Sequence, residues 1–326
     1  MIKKDNINTK HSIFASLLFK YCFVTHFILI FICISVGAVF SRLRILPEGA
    51  HKSINAWVIY VALPALSLRY IPEIEWNSQV LLPVIGPALI WIGAWLFVRF
   101  YDRKKRLTVG SRTALLVTCG LGNTSFLGLP MVAAYFGESE IRHAVVFDQI
   151  TFIIFSTLGV IAILKASSGQ SEDLHFSFFL KKVLRFPPFL GCVVALILAP
   201  FLDFTPVNPL LDRLVATMSP MALFSIGLQL KFGAIRQEWR LVSAGLIYKL
   251  LIAPALVLLL AVLLHSTGNQ ARISIFEAGM SSHITVSLLA SQHGLNPRYC
   301  SLIVGTGIVA GFLTETGWYL FLSNLL

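Results

Sequence analysis

Apolar runs of about twenty residues recur along almost the whole of this chain, and they leave few folds open to it. Approximate spans read at 24–41, 52–71, 80–100, 111–136, 144–164, 186–202, 209–230, 241–264, 272–294 and 301–322. Each is near the ~20 residues a helix needs to cross ~30 Å of hydrocarbon. Of 326 residues 56% are hydrophobic and 13% charged, and mean hydropathy is +0.80. A soluble domain carries roughly 25% charged residues, so too few polar side chains remain to coat a globule of this size. The expectation is an all-α polytopic membrane protein of about ten transmembrane helices.

The net charge of +11 raises nucleic acid as a partner, but the position of the cations decides against it. Lys and Arg sit in short loops between apolar runs, which is how membrane topology is specified. Loops after odd-numbered spans carry seventeen, from Arg42 to Arg298, against four after even-numbered spans (Arg69, Arg142, Arg213 and Arg272). That bias places the first set in the cytoplasm and both termini outside. The N-terminal tail, residues 1–23, runs against it, because Lys3, Lys4, Lys10 and Lys20 would have to be translocated. Either the tail is a start-site artefact, with Val24 as an alternative start, or it stays inside as an extension.

No catalytic motif, Walker loop or Cys/His metal spacing occurs, so neither an enzyme nor a metal or cofactor protein is expected. The five cysteines Cys22, Cys33, Cys119, Cys192 and Cys300 lie singly inside apolar runs and read as small packing residues. Asn123-Thr124-Ser125 matches a glycosylation sequon, but its apolar setting makes that a false match.

A repeat organises the spans. Pro64 and Pro220 lie 156 residues apart, and the pairs Gly122/Gly279 and Gly137/Gly294 lie 157 apart. Each pair falls in corresponding spans of two five-span halves, 24–164 and 186–326, joined by a cytoplasmic linker at 165–185. Five is odd, so the halves have opposite orientation, an inverted repeat that recurs among secondary transporters.

Span 4 reads TCGLGNTSFLGLPMVAAYFG, with Gly120, Gly122, Gly128 and Pro130 around Asn123, Thr124 and Ser125. Pro130 cannot donate a backbone hydrogen bond and the glycines weaken the helix. A break, or a proline kink relieved by Ser and Thr, follows. Freed backbone groups are tolerated at membrane depth only inside protein or beside a wet cavity. Span 9 is the partner, with Gly279, Ser281, Ser282, His283 and Thr285 at the corresponding depth but no proline. If both break, half-helix N-termini meet at the centre and suit a carboxylate. The expected substrate site is Asn123, Thr124, Ser125, Gly128, Pro130, Gly279, Ser281 and Ser282.

At YVALPALSL (60–68), GLGNTSFLGLPMVAAYFG (120–137) and MSPMALFSIGLQL (218–230) the chain resembles the auxin efflux carrier family, in order over about residues 24–322. The resemblance implies ten helices in a five-plus-five inverted repeat, with spans 4 and 9 crossing at the binding site. It implies a permease of the bacterial cytoplasmic membrane for dicarboxylates such as malonate or malate. This sequence departs from the family at Ser281 and Ser282, where prolines are common.

Charged groups at membrane depth are functional candidates. Glu277, Asp148 and Glu315 are candidates for coupling H⁺ or Na⁺, although Asp148 could be wetted at the outer interface. Lys249, ~12 Å from the cytoplasmic edge at 1.5 Å per residue, reads as a structural residue that snorkels. His283 reads as a hydrogen-bonded packing residue, with a proton relay as the alternative, and Gly307 with Gly311 as a close helix contact. The function expected is secondary transport of a small organic anion by alternating access, with a passive anion channel or uniporter as the alternative. Besides substrate and lipid, a homodimer is left open.

Overall fold

The structure, a computed structural model, describes residues 25, 27–168, 184–230 and 238–325. The N-terminal tail with Cys22, most of the 165–185 linker, the Lys231 and Arg236 loop and Leu326 lie outside the described residues.

The described chain is helical, and its sole β feature is an isolated bridge. In order come α1 (Phe27–Leu43), α2 (Ala50–Glu73), α3 (Ser78–Lys105), α4 (Val109–Gly120), α5 (Thr124–Phe136) and α6 (Glu138–Ser167). Then follow α7 (Pro187–Leu198), α8 (Asn208–Gln229), α9 (Trp239–Leu263), α10 (Gly268–Ala278), α11 (Ile284–Gln292) and α12 (Pro297–Leu325). Six of these, α2, α3, α6, α8, α9 and α12, are long and apolar enough to cross a membrane.

Proline explains much of the local shape. Widened, π-type turns at Val58–Ala62, Thr124–Gly128 and Tyr248–Ile252 each end two residues before a proline, Pro64, Pro130 and Pro254. The ring would clash with the carbonyl four residues earlier, and widening the turn moves that carbonyl aside. Ahead of Pro254 the freed carbonyl of Leu250 accepts from Trp318 Nε1 at 2.9 Å. A fourth widened turn, Phe155–Gly159, has no such proline. There Ser156 and Thr157 hydroxyls donate back to the carbonyls of Phe152 and Ile153, both at 2.6 Å, a contact that loosens helices.

Ends are set as firmly. Thr108 caps α4, its hydroxyl accepting from Ser111 N at 3.2 Å. Gly137 and Gly294 follow α5 and α11 at φ 102 and 74, a conformation that costs glycine little. The span expected at 144–164 begins earlier, since a 3₁₀ turn at Glu138–Glu140 runs straight into it. The charges that open α8 have a partner, because Asp212 accepts from Arg69 Nε at 2.6 Å.

α2 packs on α7 and α8, while α3 packs on α4, α6 and α9, and α10 on α6 and α9. α1 crosses α8 with glycine against glycine: a Cβ built on Gly37 would lie 3.0 Å from the Cα of Gly227. Small residues of this kind let membrane helices approach closely. The start of α5 rests on α8, and α11 on α4 and α12, so the two interrupted segments lie inside the packing.

Candidate functional site

Two interruptions meet at the centre. α4 stops at Gly120 and α5 begins at Thr124; α10 stops at Ala278 and α11 begins at Ile284. The second break forms without proline, over Gly279-Met280-Ser281-Ser282-His283. The two extended stretches bind each other as an antiparallel bridge between Gly122 and Ser282. Asn123 N donates to Ser281 O at 2.8 Å and His283 N to Leu121 O at 3.0 Å. Each break thus satisfies backbone groups that the other has freed, and this replaces proline as the reason the second one holds. In hydrocarbon an unpaired backbone group costs several kcal/mol.

The four half-helix ends differ. At the C-terminal end of α4, Thr118 O accepts from Ser282 Oγ at 2.9 Å. At that of α10, Ala278 O accepts from Lys249 Nζ at 2.7 Å. The N-terminus of α11 is capped, since His283 Nδ1 accepts from Thr285 N at 3.2 Å. The N-terminus of α5 carries no side-chain cap. Two equivalent anion-facing N-termini are therefore not what the chain builds; His283 occupies one, and the other is left to Asn123 and its neighbours. The imidazole also packs on Phe155, with ring centroids 5.3 Å apart.

Three glycines serve space rather than conformation, since none of them has positive φ. A Cβ on Gly122 would lie 2.9 Å from Lys249 Nζ, and one on Gly279 would lie 2.5 Å from Glu315 Oε1. A Cβ on Gly128 would run into both carboxylate oxygens of Glu277. Lys249, Glu277 and Glu315 are each seated where a methyl group is missing from a neighbouring backbone.

Asp148, on α6, is 3% exposed and not wet. Its Oδ1 accepts from the hydroxyls of Thr124, at 2.5 Å, and Ser125. Lys249 does not snorkel; it is 2% exposed and ends on Ala278, deep in the protein. This is the functional candidate that spacing alone misplaced. Its sequence signal was a lone cation in the middle of an otherwise uncharged span, five residues before Pro254. Glu277 and Glu315 are 0% and 1% exposed. Neither carboxylate has a hydrogen-bond partner in the protein, nor do the Asn123 amide and the Ser281 hydroxyl. These four residues hold seven of the ten buried orphaned polar atoms among the described residues. Pro130 is buried in α5 just after its widened first turn, and a Cβ built on Gly307 or Gly311 of α12 would lie 3.5 or 3.8 Å from the Ser281 Cβ.

A cavity of about 200 Å³, lined in part by His51, Gln229, Ile284, Ser287 and Ser291, reaches the first turn of α11.

Broken helices joined at their breaks, with charged groups gathered between long apolar spans, define an integral membrane transporter rather than an enzyme. The chain belongs to the membrane transport protein family, that of the auxin efflux carriers, whose model matches residues 22–319. It is 26% identical to an uncharacterized transporter of Methanocaldococcus jannaschii, over 90% of this chain and 97% of that one. It is 24% identical to an uncharacterized transporter of Methanothermobacter thermautotrophicus, over 89% and 95% of the two chains. A Rhizobium meliloti protein named "Putative malonate transporter" is 22% identical, over 87% of this chain and 91% of its own.

Proposed function

We propose that this chain is a secondary transporter that moves a small organic anion, most simply a carboxylate, by alternating access across the bacterial cytoplasmic membrane. The observation that carries the reading is the mutual bridge of the two breaks, with Asn123, Ser281, Glu277 and Glu315 left without partners around it. A buried polar group without a partner costs ~1–3 kcal/mol, and more if charged. A site that keeps several such groups is built to bind something that completes them. The uncapped start of α5 supplies N–H donors and positive potential to an anion, and Asn123 an amide. Thr124 and Ser125 hold Asp148 on the same turn, while Gly128, Pro130, Gly279, Ser281 and Ser282 shape the walls.

The charges favour an ion-coupled carrier over a passive pore. Three carboxylates and one ammonium are buried among the described residues of the spans, and an anionic substrate adds to the excess. Charge buried without compensation is strongly unfavourable, so a cation, H⁺ or Na⁺, enters with the substrate. The malonate named for the Rhizobium meliloti relative supports a dicarboxylate as the first substrate to try.

In this reading α4 with α5, and α10 with α11, are each one broken crossing, which gives ten spans in two inverted halves, 24–164 and 186–326. The equivalent roles of Gly137 and Gly294, each ending a second half-helix at positive φ, support that pairing. The loop-charge bias supports both termini lying outside. Uptake of labelled mono- and dicarboxylates into proteoliposomes tests the function, with Na⁺ and pH gradients imposed separately. Saturable accumulation of one acid under one gradient is expected; no accumulation of any acid under either would reject the reading.

A further inference from the structure

The breaks of ion-coupled transporters hold Na⁺ on unwound backbone carbonyls and on the C-terminal ends of half-helices. Here six carbonyls in those places are already engaged by donors of the protein. At the end of α4, Thr118 O is held by Ser282 Oγ at 2.9 Å and Leu121 O by His283 N at 3.0 Å. At the end of α10, Phe276 O is held by Gly279 N at 3.1 Å and Glu277 O by Met280 N at 3.2 Å. Ala278 O is held by Lys249 Nζ at 2.7 Å, and Ser281 O by Asn123 N at 2.8 Å. The ammonium on Ala278 also repels any second cation at the position where the dipole of α10 would otherwise attract one.

One ammonium against three carboxylates leaves two negative charges to be balanced. Of the three, Asp148 alone accepts hydrogen bonds, from two hydroxyls at its Oδ1. Glu277 and Glu315 receive no hydrogen bond, and each lies against a glycine backbone. For a carboxyl so placed, neutrality is far less costly than charge. A proton needs no coordination shell, whereas a metal cation needs several oxygens arranged around it. No cluster of three or more acidic, His or Cys side chains suited to a metal occurs among the described residues.

The other titratable groups near these two and Lys249 in the packed helices are Asp148 on α6, Cys119 on α4 and Tyr135 on α5. Tyr135 Oη is bound to Thr316 Oγ1 at 2.5 Å and Tyr299 Oη to Thr118 Oγ1 at 2.7 Å. The remaining charged side chains of α3, α4, α6, α9, α10 and α12 stand within the first or last two turns of their helices.

We propose that the coupling ion is the proton, carried on the carboxylates of Glu277 and Glu315, and that Lys249 is a resident cation standing where a Na⁺ would otherwise bind. This rests on the carrier reading above and narrows it. In the cycle a proton adds to a carboxylate oxygen of each glutamate on one side of the membrane and leaves it on the other. Lys249 keeps its charge throughout and acts as a positioning residue, holding the end of α10 in place at the crossing.

The test uses the purified full-length chain in detergent, with Na⁺ titrated against choline at constant ionic strength and thermal unfolding followed by intrinsic fluorescence. The parental midpoint is expected not to move with Na⁺. A saturable rise in that midpoint would overturn the proposal, and this measurement needs no variant to fold. Lys249→Ala is expected to lower the midpoint in choline and to recover part of the loss saturably in Na⁺, as the metal takes the vacated place on Ala278. Failure of Na⁺ to restore a folded Lys249→Ala protein would refute the resident-cation role. In proteoliposomes, labelled malonate, malate and succinate should accumulate under a pH gradient without Na⁺. Accumulation that requires Na⁺ would reject proton coupling alone, whereas no flux of any acid under either gradient would reject the carrier reading itself.

Discussion

Lys249 Nζ donates to the carbonyl of Ala278 at 2.7 Å, so the only fully buried Lys or Arg among the described residues rests on the C-terminal end of a half-helix. The same ammonium lies against Gly122 of the opposite break. One side chain therefore touches both interruptions, and movement of one break relative to the other must pass through it. Truncation of a buried charge leaves its neighbours uncompensated, at a cost of ~3–5 kcal/mol.

The glycine seats give a direct prediction. Gly128→Ala would drive a methyl into the Glu277 carboxylate, and Gly279→Ala would bring one to 2.5 Å from Glu315 Oε1. Both should lower the initial transport rate at least ~10-fold, since overpacking costs ~1–3 kcal/mol and displaces the charged group. Gly317→Ala on α12 meets nothing within 4 Å and should transport at the parental rate. Transport assays with surface expression monitored decide it; parental rates in both crossing variants would remove the role given to the glycines.

Coupling is read from Glu277→Gln. The amide keeps the shape and cannot carry the proton, so saturable exchange of substrate should persist while accumulation against a gradient is lost. Glu315→Gln should show the same pattern, whereas Asp148→Asn should weaken the start of α5, because Thr124 and Ser125 lose a charged acceptor. Gradient-driven accumulation unchanged in Glu277→Gln would move coupling elsewhere.

Much of this was legible in the sequence, though unevenly. Apolar run length gives the helices, because hydrocarbon thickness sets it. Gly120 and Gly122 mark the first break because weak helix propensity is a local property; Pro130 marks the widened turn that opens α5, and Gly137 the end of that helix. The second break has no comparable local signal. It is held by Asn123 N on Ser281 O and His283 N on Leu121 O, bonds between residues about 160 positions apart, which no local pattern encodes. Lys249 was misplaced for the same reason: its distance from the helix end allows snorkelling, and only the fold brings Ala278 within its reach. His283 as the cap of α11 likewise depends on where the break ends.

Membrane orientation rests on loop charge and is open to direct measurement. On a cysteine-free background, a cysteine at position 105 should react with an impermeant maleimide only after the cells are permeabilised. One replacing Asp203, which lies between α7 and α8, should react in intact cells. The reverse pattern would invert the topology without touching the geometry of the crossing.

The central claim is that the paired breaks form the substrate site of a carrier, and counterflow with Asn123→Ala tests it most directly. Proteoliposomes preloaded with an unlabelled carboxylate should transiently concentrate the labelled acid, a response that a carrier gives and an open pore does not. The account predicts saturable counterflow by the parent, and in Asn123→Ala an apparent affinity at least ~10-fold weaker, the loss of a hydrogen bond to a charged group being worth ~1.5–3 kcal/mol. Linear, non-saturating flux in the parent, or identical counterflow in a correctly inserted Asn123→Ala protein, would contradict it.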